Sequence, residues 1–364
     1  MKGTDIVRIG RRTVAGALVG LLLSVPWKGA HAQPSAADGS RLEVRVDFEE
    51  AEAALAILEK QAAGLAVTEE DWARLESSEG WLRMRQRNAE FGRTSFPADV
   101  RAYLTSGETV ARAGALRAAV ESWRGLDARA AASRALAYLP DETLLRATIY
   151  PAVKPRPNSY VYELETDPAI FFHVDPDRSP GQLENTLAHE LHHVGSATCP
   201  EPPGLDTLPE EARLTVSWLS AFGEGMAVLA AAGGPDVHPH ATSAAGEWLV
   251  WERDVANIAS DVGRVEAFFT AILDGRLAGD EARAELFSLI NAEGVPQGPF
   301  YTVGWKMAAI VERAFGRPAV VAAVCDPRRL LVRYNAAARA YPRPDATPLP
   351  LWSEAFLRRI DAAD

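Results

Sequence analysis

The stretch that decides the fold is Ser179–Gly195, SPGQLENTLAHELHHVG. It begins like a helix, because Ser179 and Gln182 form a capping-box pattern around Pro180 at the first helical position. Apolar residues follow at spacings of four, four and three, which gives one face that can pack on a core: Leu183, Leu187, Leu191 and Val194. Gly195 is expected to end the helix. The stretch therefore predicts a capped amphipathic helix.

This helix carries the array His189-Glu190-Leu191-His192-His193. Residues four apart lie on the same helical face, so His189 and His193 can direct two imidazole nitrogens at one metal ion. Glu190 projects beside them and can take a proton without being a ligand. His192 points away from that face and is expected at the surface or behind the two ligands. The alternative is an exposed helix that carries three histidines by chance.

A catalytic zinc site needs a third protein ligand, and the best candidate is Glu224. It lies within Ala221–Ala227, AFGEGMA, in a helix that is otherwise largely apolar, where an unpaired carboxylate is costly. Gly223 and Gly225 are expected to let the motif helix approach closely. Glu224 on an exposed stripe remains an alternative. Other possible ligands are the loop acids and two later histidines: Glu201, Asp206, Glu210, Glu211, His238 and His240.

The pattern of the chain predicts an α+β protein that is mainly helical, with a small antiparallel or mixed sheet beside the motif helix. Alternating or apolar runs predict strands at 42–48, 145–150, 159–164 and 169–174. An edge strand there could pair with an extended substrate. Long helices are expected at 210–232, 246–273, 280–290, 300–315 and 318–340. We divide the chain into a signal peptide (1–32), a flexible leader (33–41), an N-terminal helical region (42–144) and a catalytic region (145–364).

The N-terminus has the features of an export signal. Basic residues precede an apolar run, Thr13–Trp27, and Ala30-His31-Ala32 resembles a cleavage site. Arg11-Arg12 also offers a twin-arginine pair. We expect a periplasmic or secreted protein without stable membrane insertion after cleavage. The net charge of −11 would fall to about −15 without the signal, which disfavours nucleic acid as a partner. The oligomeric state is not predicted.

Cys199 and Cys325 are the only cysteines of the chain. In an oxidising compartment they could form a disulfide that joins the loop after the motif helix to the C-terminal helices. Two buried, unpaired thiols are an equally good interpretation.

The combination of His189-Glu190-x-x-His193 and Gly223-Glu224-Gly225-x-Ala227 resembles the gluzincin class of zinc metallopeptidases, in particular an uncharacterised bacterial family of zinc-dependent peptidases. The resemblance covers about residues 145–316 and implies a zincin-like core. It also implies Zn²⁺ held by His189, His193 and Glu224, with Glu190 as general base. The interval from His193 to Glu224 is longer than in thermolysin-like enzymes.

The same resemblance suggests a role for Tyr301, in the first turn of a helix that follows Gly298-Pro299. Its phenol could donate a hydrogen bond to an oxyanion, as a tyrosine does in several gluzincins. Tyr301 as a core residue is an equal alternative. His173, on the strand before the motif helix, is expected to be a half-buried imidazole, and Asp175 and Asp177 turn residues.

These observations predict a zinc-dependent hydrolase, most simply a metallopeptidase that acts on a peptide or protein substrate. Two alternatives remain: a zinc hydrolase of a non-peptide amide or ester, and a non-enzymatic helical binding protein that has kept the fold.

Overall fold

The computed structural model describes residues 41–164, 166–291, 297–340 and 348–362. The predicted signal peptide, and the predicted leader except residue 41, lie outside the described residues. Four strands form one mixed sheet in the order β1-β2-β4-β3. Their bounds are β1 Leu42–Val46, β2 Leu145–Ala152, β3 Tyr160–Tyr162 and β4 Ala169–His173. β1 and β4 each run parallel to β2, whereas β3 pairs antiparallel with β4.

The sheet is covered on both faces, because side chains of a strand alternate between its two sides. In β4, Phe171 packs with the N-terminal helices, whereas Ile170 and Phe172 pack with the motif helix. β2 divides in the same way, with Tyr150 on the first face and Ile149 on the second. A sheet buried on both faces explains why most positions of β2 and β4 are apolar.

Within the described residues, seven helices precede β2, and they contribute to both covering layers. They are α1 Glu49–Ala62, α2 Glu69–Ser77, α3 Glu79–Glu90, α4 Phe96–Leu104, α5 Gly107–Ala111, α6 Ala113–Arg124 and α7 Ala128–Leu136. Residues of α1 to α4 and α6 share a core with one sheet face, and α7 packs on the other face with the motif helix. β1 pairs with β2 in register Leu42 with Leu145. The predicted boundary at residue 144 therefore falls between two paired strands.

Of the remaining helices, the motif helix packs on the sheet and the others surround a separate core. The remaining helices are α8 Pro180–Ser196, α9 Glu210–Leu219, α10 Gly223–Ala232, α11 Ala245–Ala256, α12 Ile258–Leu273, α13 Gly279–Ile290, α14 Pro299–Phe315, α15 Arg317–Val324, α16 Pro327–Ala340 and α17 Glu354–Arg359. The α8 helix packs against α10, and α10 packs against α14. α8 thus lies between the sheet and the C-terminal helices.

Three of the long predicted helices are interrupted. A 3-10 turn at Ser220–Phe222 separates α9 from α10, Asn257 separates α11 from α12, and Cys325-Asp326 separates α15 from α16. The last break has a simple cause, since Pro327 lacks an amide hydrogen and can only begin a new helix. The stretches predicted at 210–232, 246–273 and 318–340 are therefore confirmed as helical, but each is divided into two α-helices.

Within the described residues, one helical stretch, Glu210–Ala232, is long and apolar enough to cross a membrane. Of its most apolar window, 72% is buried inside the molecule, as in the core helix of a globular fold. The predicted class, α+β and mainly helical with a small mixed sheet, is confirmed.

Candidate metal centre

The α8 helix begins and packs as its sequence predicts. The Ser179 hydroxyl accepts a hydrogen bond from the Gln182 amide, the Gln182 side chain accepts from the Ser179 amide, and Pro180 follows the cap. The apolar stripe is buried against the sheet. We expected Gly195 to end the helix, but α8 continues to Ser196. A Cβ atom at Gly195 would lie 2.2 Å from a methyl group of Leu139, so this glycine permits close packing instead.

Glu224 lies in the first turn of α10, directly after the 3-10 turn. Three residues at 3.0 per turn rotate the following side chains by about 60° relative to a continuous α-helix. Gly225 then contacts α14 rather than α8, which corrects our prediction. A Cβ atom at Gly225 would lie 2.0 Å from the Trp305 amide nitrogen, and one at Gly304 would lie 2.9 Å from the Phe222 carbonyl oxygen. Nothing lies within 4 Å of a Cβ atom at Gly223, so it makes no close approach.

The structure brings the three predicted ligands to one point. The Nε2 atoms of His189 and His193 are 3.0 Å apart, and each lies 3.2 Å from Oε2 of Glu224. Burial alone would raise the pKa of Glu224, but the neighbouring imidazoles outweigh it and hold that pKa well below its usual value. In the described part of the chain, this is the one group of three histidine, cysteine, aspartate or glutamate side chains that could hold a metal ion.

Hydrogen bonds alone satisfy this triangle poorly. Two N–H groups on nitrogens 3.0 Å apart would point at each other, so only one ring can carry its proton at Nε2 in this position. A cation accepts the lone pairs of all three atoms together. For a tetrahedral zinc ion with bonds of 2.0–2.2 Å, ligand atoms are separated by about 3.3 Å, close to the edges observed. The residues present therefore fit a divalent metal of the zinc type.

Glu190 is 1% exposed, and neither of its carboxylate oxygens has a hydrogen-bond partner. Burial raises the pKa of Glu190, and the adjacent His189 and His193 oppose this only in part. An unpaired buried carboxylate is costly for folding. Glu190 therefore lies buried and unpaired next to the two imidazoles.

Tyr301 lies beside the triangle. Its ring stacks on that of His189, with centroids 6.1 Å apart and planes inclined by 9°. Tyr301 is 2% exposed, and its hydroxyl group has no hydrogen-bond partner. Burial, and secondarily the charge of Glu224, raises the pKa of Tyr301 well above its usual value. The phenol therefore stays protonated beside His189, and Tyr301 is also a core residue of α14.

His192 does not lie at the surface, which was one of its two expected positions. It is 1% exposed, and burial lowers the pKa of its imidazole to about 3, so the ring is neutral. Helical spacing placed it off the ligand face, but could not show that α7 and the following loop cover the opposite side. His173 is half-buried, as expected, and burial lowers its pKa to about 4. Asp175 accepts the Asp177 amide in a turn, also as expected.

The competing ligands lie elsewhere. The four loop acids are exposed: Glu201, Asp206, Glu210 and Glu211. His238 stacks on Trp248 and lies 3.0 Å from a Glu252 oxygen, and His240 contacts Ser243 and Gln297. Neither histidine joins the triangle.

The sequence did not predict that α14 is the helix that packs against α10 at the site. Trp305 follows Tyr301 by one turn of α14 and packs on Trp251 of α11, with ring centroids 5.5 Å apart. The paired glycines 225 and 304 were the available signal, but a glycine does not identify the helix that it approaches.

No curated protein and no solved structure matches this chain. A family model does match it, over residues 124–342, which is more than half of the chain and contains α8, α10 and α14. The chain therefore belongs to the family described as "Putative zinc dependent peptidase (DUF5700)".

Proposed function

We propose that this protein is a zinc-dependent metallopeptidase of the gluzincin type. His189, His193 and Glu224 would hold Zn²⁺, Glu190 would serve as general base, and Tyr301 would stabilise the oxyanion. The observation that carries the proposal is the buried triangle of two imidazole nitrogens and one carboxylate oxygen with edges of 3.0–3.2 Å. Membership of a family described as zinc-dependent peptidases supports the same reaction.

Zinc bound at this triangle would supply an acidified water molecule and polarise the scissile carbonyl group. Glu190 is free to take a proton from the attacking water and to pass it to the leaving amine, because no other group occupies its oxygens. The Tyr301 phenol is equally free, and it would donate a hydrogen bond to the carbonyl oxygen as negative charge develops there. The apolar surroundings strengthen both interactions by keeping the local dielectric constant low.

We also propose that the enzyme works in the periplasm or outside the cell, on a peptide or protein. The export signal in the sequence supports this location, and so does the disulfide between Cys199 and Cys325, since such bonds persist in oxidising compartments. The free edge of β3 offers backbone groups to an extended peptide, and α8 packs against that strand.

The test compares Glu190→Gln and His189→Ala with the wild type, using metal analysis and hydrolysis of a protein substrate such as casein. Glu190→Gln should keep one zinc per chain and lose activity by at least about a hundredfold, because general-base catalysis is worth about that much or more. His189→Ala should lose both zinc and activity.

Glu211→Gln is the matched control, because this carboxylate is exposed at the start of α9. It should leave zinc content and hydrolysis unchanged. A wild-type protein that carries no stoichiometric zinc when purified without chelator, or a Glu190→Gln variant with full activity, would contradict the proposal.

A further inference from the structure

A second polar cleft lies on the sheet face opposite α8. It opens between the end of α3, the loop before α4 and the loop that joins β2 to β3, with about 490 Å³ of empty space open to solvent. Tyr160 forms part of its wall and packs with the N-terminal helices, not with the motif helix. The cleft is therefore separated from the metal centre by the sheet.

Four cationic side chains and one carboxylate line this cleft. The cations are Arg87, Arg93, Lys154 and Arg156, and the acid is Asp99, which accepts a hydrogen bond from Ser95. In the part of the chain that the structure describes, none of the three arginines forms an ion pair with a carboxylate. Such a concentration of positive charge is notable in a chain with a net charge of −11.

Arg87 lies over two aromatic rings. Its guanidinium carbon lies 3.8 Å from the ring centroid of Tyr160 and 4.9 Å from that of Phe91, which is 63% exposed. A guanidinium that stacks on a ring face keeps the N–H donors at its edge available. Among the described residues these donors have no acceptor. Glu90 lies nearby on α3, but its carboxylate accepts from Tyr162 and Gln86.

Lys154 has a different part in the cleft. Its ammonium group donates to the carbonyl oxygens of Arg156 and Asn158 and to the side chain of Asn158. These bonds fold the β2–β3 loop so that Arg156 is presented at the rim. Burial lowers the pKa of Lys154 to about 7, so the arginines are the constant source of positive charge at the cleft.

We propose that this cleft is a binding site for a compact oxyanion, either phosphate or the carboxylate of an acidic peptide, with Arg87, Arg93 and Arg156 as its donors. Planar guanidinium groups bind both kinds of oxyanion through paired charge-assisted hydrogen bonds. The site is independent of the proposed zinc chemistry, because its residues lie on the other side of the sheet.

Isothermal titration of the full chain with inorganic phosphate and with triglutamate, at constant ionic strength set by sodium chloride, tests the proposal. The wild type should bind at least one of the two. The double variant Arg93→Gln/Arg156→Gln should bind it at least about tenfold more weakly, since each charge-assisted hydrogen bond is worth at least the 1.4 kcal/mol that corresponds to tenfold. Both side chains are exposed, so the variant should fold, which circular dichroism will check.

Arg85→Gln is the control, because it removes an exposed arginine of α3 outside the cleft. It should bind like the wild type. Binding of phosphate alone, of triglutamate alone, or of both supports the site and identifies the source of the oxyanion. No binding of either by the wild type, or the same change in Arg85→Gln as in the double variant, overturns the proposal.

Discussion

Three glutamates among the described residues are buried, and their surroundings differ. Glu224 has two imidazoles, which hold its pKa well below the usual value. Glu50 has the Val153 amide as hydrogen-bond donor, and burial raises its pKa to about 8. Glu190 has no partner at all. Glu224 is therefore suited to hold a cation, Glu50 stays protonated in the core, and Glu190 is left without a hydrogen-bond partner.

Glu50 predicts a pH dependence of folding. Its pKa is about 8 in the folded chain against 4.5 in the unfolded one, so the folded state binds the extra proton between these values. The free energy of unfolding should therefore fall as pH rises from 4.5 to 8, by an amount on the order of a few kcal/mol. Glu50→Gln keeps an acceptor for Val153 and removes this loss. Urea denaturation at pH 5 and pH 8.5 measures it.

The variant should equal the wild type within about 1 kcal/mol at pH 5, where the Glu50 side chain is neutral in the folded state, and exceed it in stability at pH 8.5. Glu211→Gln, at an exposed position, controls for the change in net charge. A constant difference between Glu50→Gln and wild type at both pH values would mean that Glu50 is ionised in the folded protein throughout.

The sequence predicted His189, His193 and Glu224 because metal ligation restricts residue type and spacing, and both restrictions are visible in a chain. The burial of Glu50 and His192 was not predictable in this way. Each depends on what packs over a helix from a distant segment, such as β2 over α1. The proton chemistry of Glu190 and Tyr301 also remains a prediction, since the structure shows only that both lie unpartnered at the site.

At the scale of elements, the contact between α10 and α14 fixes the position of Glu224. Gly225→Ala should separate the two helices, because the new Cβ would lie 2.0 Å from the Trp305 backbone nitrogen, which cannot rotate away. We expect a loss of about 1–3 kcal/mol in the free energy of unfolding, as for other overpacked cores. Zinc binding should also become weaker, since Glu224 directly precedes Gly225. Urea denaturation and chelator competition measure the two effects.

Gly223→Ala is the matched control, two residues away in the same helix with nothing within 4 Å of a Cβ atom. It should change stability by less than about 1 kcal/mol, in the stabilising direction that helix propensity predicts. If the two alanine variants behaved alike, the close approach of α14 would not be what requires Gly225.

The strands were predictable as elements, because alternation and apolar runs report burial directly. The interruptions of the helices were less predictable. The 3-10 turn at Ser220–Phe222 adjusts the rotation of α10 within an apolar run that has no proline, and only the packing of α10 between α8 and α14 requires it. Element type was therefore set locally, whereas the direction of Glu224 was set by tertiary contacts.

On the scale of the whole molecule, the region matched by the family model contains the part of the fold that builds the metal centre. Residues 124–342 include α7, the strands β2 to β4 and every helix that contributes to the metal centre. The preceding helices cover the other sheet face, and together with the β2–β3 loop they form the arginine-lined cleft. The sequence predicted a helical N-terminal region but not this layer arrangement, because the pairing of β1 with β2 joins segments about a hundred residues apart.

The disulfide between Cys199 and Cys325 closes a loop with a sequence separation of 126 residues, which contains Glu224 and Tyr301. Removing it with Cys199→Ser/Cys325→Ser should lower the free energy of unfolding by about 2–5 kcal/mol, because the unfolded chain regains the entropy of the open loop. Zinc content of the folded protein should stay the same, since the packing of α8 on α10 sets the ligand positions. Dithiothreitol should destabilise the wild type in urea to the level of the variant and leave the variant unaffected. An unchanged urea midpoint in the double variant would show that the bridge does not stabilise the fold, and loss of zinc at full stability would show that the bridge, rather than helix packing, positions the ligands.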